Sequence, residues 1–125
     1  MSSSTRLDVP NGLLCIEGLG EVENEEALYA FKLEWLIDRS YFCFYMACQH
    51  PDDGETKVTL GEGQEVDPGS SPAFDCMVHT PDPAIKVIIV PNEKILETTV
   101  PTSSTRVRIW VNHPQWPDEV IIGLG

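Results

Sequence analysis

Apolar and polar residues alternate along most of this chain, in short runs closed by proline, glycine or asparagine. A period of two predicts half-buried β-strands. The second half is the more regular. Residues 73–79, 85–90, 95–100, 105–111 and 119–122 read as strands, and each break between them carries proline. Within 105–111, Val107, Ile109 and Val111 face one side, while Arg106, Arg108 and Trp110 face the other.

The first half holds a strand at 13–17 after the Pro10-Asn11-Gly12 turn, a glycine- and glutamate-rich loop at 18–26, and a weak strand at 57–60. Residues 41–48 are almost wholly apolar, the pattern of a central strand covered on both faces. A reversal surrounds Asp53-Gly54, and the longest loop spans 61–72. Residues 27–38 are ambiguous. Tyr29, Phe31, Leu33, Trp35 and Ile37 alternate with Lys32, Glu34 and Asp38, which favours a strand paired with 41–48 through a turn at 38–40. The competing reading is one helix near 27–37, capped by Asn24 and lined by Leu28, Phe31 and Trp35. The expected architecture is all-β: one domain over 1–125, an antiparallel sandwich of about seven to nine strands, with 1–5 as a flexible tail.

Net charge constrains the function more than composition does. The chain carries 20 acidic against 8 basic residues, a net of −12. Such a surface repels phosphate backbones and anionic lipid, so nucleic-acid and membrane binding are disfavoured. It attracts a basic protein partner. Residues 1–67 hold 14 of the acids and 4 of the bases, making the first half the better candidate for an acidic face. The polar opening residues carry no apolar run of signal-peptide length, and nothing approaches a membrane span. A cytoplasmic protein is expected, with its 4 cysteines as free thiols. Cys15, Cys43 and Cys76 lie in apolar stretches as small buried hydrophobes.

Candidate chemistry is thin. Cys48 with His50 and Cys76 with His79 offer zinc-ligand types, but no C-x-x-C knuckle accompanies them. No cysteine has a local nucleophile signature with His50, His79 or His113. Asp52 with Asp53 and Asp118 with Glu119 are neighbours of the kind chance supplies in an acid-rich chain. Asp52-Asp53-Gly54-Glu55 lacks calcium-loop spacing, and Gly61-Glu62-Gly63-Gln64 lacks the third glycine of a phosphate cradle. The reading is therefore a non-enzyme with no catalytic residue, metal or cofactor. Two features remain as partner-binding candidates: the acids Glu21, Glu23, Glu25 and Glu26, and the turn bearing His113 and Trp116, where a tryptophan between prolines suits an interface anchor.

The segments Ile95-Leu96-Glu97-Thr98-Thr99-Val100-Pro101, Thr105-Arg106-Val107-Arg108-Ile109-Trp110-Val111 and Asp118-Glu119-Val120-Ile121-Ile122 resemble the closing strands of the competence-associated nuclease inhibitor family. Those are small acidic β-sandwich proteins that bind and block a nuclease. In that pattern a strand ends at proline and glycine, a Tyr-Arg-Val-like strand follows, and an acid opens the last strand. Here residues 102–104 stand in place of the glycine and Thr105 in place of the tyrosine. The resemblance implies a sandwich fold and an inhibitor-like role, and it assigns no site residue. The functional expectation is an acidic binding protein, an inhibitor or immunity protein that neutralises a basic nuclease or toxin. The alternative is a viral or phage-like assembly subunit that forms a homo-oligomer through strand edges and the Trp116 loop.

Overall fold

Alternation becomes inward and outward side chains in the computed structural model, which describes residues 2–27, 36–40 and 43–125. Among the described residues, ten strands form two sheets of five. The first sheet contains β1 (Ser3–Leu7), β5 (Thr56–Glu62), β10 (Glu119–Leu124), β9 (Ser104–Val111) and β6 (Phe74–His79), in that spatial order. The second runs β3 (Leu36–Ser40), β4 (Cys43–Ala47), β2 (Leu13–Glu17), β7 (Ala84–Ile89) and β8 (Glu93–Thr99). Along β6, Phe74, Cys76 and Val78 are buried while Asp75, Met77 and His79 face solvent. The core is filled from both sheets: Leu14, Ile16, Phe44, Met46, Ile85 and Val87 meet Val58, Leu60, Phe74, Val107, Ile109, Val120 and Ile122. Phe44 and Phe74 touch edge to face, 5.7 Å between ring centroids, an arrangement that aligns the positive ring edge with the negative face.

The all-β sandwich matches the expectation, with four differences of detail. First, the expected tail is structured from Ser3 onward: β1 pairs with β5 from Ser3↔Leu60 to Leu7↔Thr56. Second, one pairing is parallel, β5 with β10. These strands lie far apart in the chain, so no hairpin forces them antiparallel. Third, residues 38–40, read as a turn, belong to β3, which pairs with β4 from Leu36↔Met46 to Ser40↔Cys43. The strand-or-helix question at 27–37 lies largely outside the described residues. At its edge, Asn24 Oδ1 accepts the Glu26 N–H at 3.0 Å, and Leu36 onward is strand. Fourth, the long 61–72 loop opens with the end of β5 and a single helical turn, Gly63–Val66.

The thiol expectation is also corrected. Cys15 and Cys43 form a disulfide with Cα atoms 6.5 Å apart. Cys15 sits opposite Tyr45 and Glu17 opposite Cys43, so the two cysteines are diagonal neighbours on adjacent strands. That separation suits a disulfide. Cys48 and Cys76 are free and buried.

The outer face of the first sheet is partly roofed. Trp110 is 3% exposed although it points away from the core, and its Nε1–H donates to the Ser70 carbonyl at 2.9 Å. Arg108 stacks over its ring at 5.3 Å and reaches Asp67 at 3.5 Å. Gly123 makes this roof possible, because a Cβ there would stand 2.9 Å from the indole.

Candidate partner-binding surfaces

The 112–118 loop joins β9 to β10, and Asn112 closes it. The Asn112 Nδ2 donates to Asp118 Oδ1, and the Asn112 Oδ1 accepts the Glu119 N–H at 3.1 Å. Pro117 is buried, and its carbonyl accepts the Gln49 N–H at 2.9 Å. The Asp118 carbonyl accepts the Lys57 N–H at 2.8 Å. The loop is thus tied to both ends of the segment that carries Asp52, Asp53 and Glu55. That segment is itself ordered by proline and capping: a 3-10 turn at Pro51–Asp53 follows His50, whose Nδ1 accepts the Asp52 N–H at 3.2 Å. Trp116 stands on this scaffold 63% exposed, with φ of +52°. His113 is exposed on the same loop. One end of the sandwich therefore presents an indole on a loop bonded to the segment that carries Asp52, Asp53 and Glu55, with Asp118 on the loop itself.

The other candidate acids lie elsewhere. Residues 20–23 run along the free edge of β6. Gly20 and Glu23 donate to the His79 and Met77 carbonyls, and His79 donates to the Glu21 carbonyl. Val22 bridges Val78 and is buried, while Glu21, Glu23, Glu25 and Glu26 are exposed. Glu21 and Glu23 line a shallow cleft with His79 and Ser104, at the start of β9. Trp116 follows the end of the same strand. The eight residues of β9 span roughly 23 Å at about 3.3 Å per step. Glu21 lies beside His79 at the end of β9 away from Trp116, and by Asn24 the segment has reached Cys76, which pairs with Val107 midway along that strand. The acids that do accompany Trp116 were visible in the sequence as the Asp53-Gly54 reversal and Asp118. Nothing local joined them, because their contact is made through backbone bonds between distant segments.

The cysteine and histidine pairs do not converge. Among the described residues no group of three or more His, Cys, Asp or Glu is placed to hold a metal. Cys48 is fully buried, and burial pushes its thiol up to about 11, with the Thr56 hydroxyl partly opposing the shift. It stays a protonated thiol near neutrality, which makes it a poor nucleophile. Cys76 Sγ contacts the Asn24 carbonyl at 3.8 Å, inside the sandwich edge. On the outer sheet, Arg106 grips Asp75 through two bonds of 2.9 and 2.8 Å. The guanidinium hydrogen bonds hold that carboxyl below its ordinary value. Both side chains sit in solvent, and the pair fastens β6 to β9 rather than forming a pocket.

The second sheet carries a groove on its outer face, of about 340 Å³. Leu13, Ile88, Val90 and Pro91 supply apolar walls, the Cys15–Cys43 disulfide lies along it, and Tyr45 and Glu17 complete the lining. No sequence signal pointed to it, since it arises from outward residues of three strands.

No helix among the described residues is long and apolar enough to cross a membrane. No protein-family model matches the chain, and no curated protein is similar in sequence. Among solved structures, the chain is similar to ComJ of Bacillus subtilis, an inhibitor of the DNA degrading activity of NucA. The TM-score is 0.59 at 11% identity, over 98% of this chain and 93% of ComJ. At that identity the likeness is one of fold: the two chains share a β-sandwich architecture.

Proposed function

We propose that this chain is a non-enzymatic acidic binding protein that neutralises a basic protein partner, as an inhibitor or immunity protein does to a nuclease or toxin. The observation that carries the reading is the exposed Trp116 on a pinned loop beside Asp52, Asp53, Glu55 and Asp118. The net charge of −12 draws a basic partner in from a distance and speeds encounter. Burial of the indole then supplies short-range affinity and slows dissociation. Because the loop is already held, little ordering entropy opposes binding. The fold shared with ComJ, whose known role is inhibition, supports the same class of role.

The test is a pull-down with the tagged chain from its native host at low and high salt, run beside Trp116→Ala. A basic protein captured at low salt, released at high salt and lost with Trp116→Ala is the expected result. The captured protein is then assayed for an activity, nuclease activity first, that the wild-type chain suppresses. Recovery of only this chain's own copies, resistant to salt, would overturn the reading in favour of assembly.

A further inference from the structure

We propose that the Cys15–Cys43 disulfide is a thiol–disulfide exchange site, opened by a dithiol that enters the groove on the outer face of the second sheet. This inference is independent of the partner-binding reading. Its basis is placement. Leu14 and Ile16 of β2, with Phe44 and Met46 of β4, fill the core, whereas Cys15 and Cys43 lie on the opposite face and line the 340 Å³ groove. The bond therefore lies on the groove side of the sheet. Cys15 is half-buried and Cys43 is 6% exposed, so attack is assigned to the Cys15 side of the bond.

The exchange balances as follows. A thiolate of the dithiol attacks Cys15 Sγ and forms a mixed disulfide. The Cys15–Cys43 bond breaks, and Cys43 leaves as a thiolate that takes a proton. The second thiol of the dithiol then attacks its own sulfur in the mixed disulfide and releases Cys15. Two electrons and two protons pass to the protein, and the dithiol becomes a cyclic disulfide.

Two features make the site self-contained. The remaining cysteines, Cys48 and Cys76, are buried, so the released thiols have no neighbour with which to reshuffle. β2 and β4 are also joined by a ladder of five paired positions, from Leu13↔Ala47 to Glu17↔Cys43. The reduced chain accordingly retains both sheets and displays two thiols in the groove.

Native-state alkylation tests this. The full chain is treated with dithiothreitol, then iodoacetamide, and read by intact and peptide mass spectrometry beside circular dichroism. The expected result is a mass shift of two carbamidomethyl groups, on Cys15 and Cys43, with Cys48 and Cys76 unmodified and the strand spectrum unchanged. Without reductant, no label is expected. Label on Cys15 or Cys43 without reductant would show that no disulfide exists. Absence of label until denaturant is added, or label on all four cysteines together, would show that the bond is inaccessible in the folded state. Cys43→Ser gives a second readout: its lone Cys15 thiol reacts with a small aromatic disulfide in the folded chain, and failure to react overturns the proposal.

Discussion

Trp116 occupies a left-handed backbone conformation, φ +52°, which an L-residue with a side chain adopts at a cost of about 1–2 kcal/mol. Its loop must therefore be held by something else, and the Asn112 bonds with the Pro117 and Asp118 carbonyl bonds do so. Glycine has no such cost. Trp116→Gly is expected to leave the folding free energy within about 1 kcal/mol of wild type, as read by urea denaturation, while abolishing partner capture. A loss of several kcal/mol would mean that the indole packs structurally. Trp110 has the opposite fate at 3% exposure, with its N–H satisfied by Ser70. Alternation correctly put Trp110 on the outward face of β9. It did not reveal that residues of the 61–72 segment cover that face.

At the scale of elements, the strands that pattern reading located best lie in the second half, where β6, β7, β8, β9 and β10 each fall within two residues of their expected bounds. The segments it misread are edges. β1 and β3 each pair on one side alone, and their residues Ser3, Ser4 and Thr5, then Asp38, Arg39 and Ser40, read as tail and turn. Polar sequences suit edge strands because they discourage pairing with other chains. The disulfide joins β2 to β4 across a separation of 28 residues. Closing a loop of that size restricts the unfolded chain, so Cys15→Ser with Cys43→Ser is expected to destabilise by about 2–4 kcal/mol with the strand signal retained. Equilibrium urea unfolding in oxidising buffer measures it. An unchanged midpoint would mean that the cross-link contributes nothing to stability.

Across the whole molecule, Glu21 flanks the start of β9 and Trp116 follows its end, a strand of roughly 23 Å against a Debye length of about 8 Å at physiological salt. Stopped-flow association with the captured partner is expected to slow about tenfold or more between low and physiological salt. Replacing Asp52, Asp53 and Asp118 by asparagine should weaken that dependence the most. Replacing Glu21, Glu23, Glu25 and Glu26 by glutamine should leave most of it in place. The reverse outcome would move the docking surface to the β6 edge.

Side-chain alternation is a local property: successive residues of a strand point to opposite faces whatever the strand pairs with. The all-β class, the inward residues of β6 and β9 and the net acidity were therefore legible before any fold was known. Pairing is not local. The union of β5 with β10 brings the Trp116 loop against the Asp52–Glu55 turn, and the union of β2 with β4 sets Cys15 beside Cys43. Both depend on which distant strands share a ladder, a choice made by the burial of one common core, and both candidate sites exist only once that choice has been made.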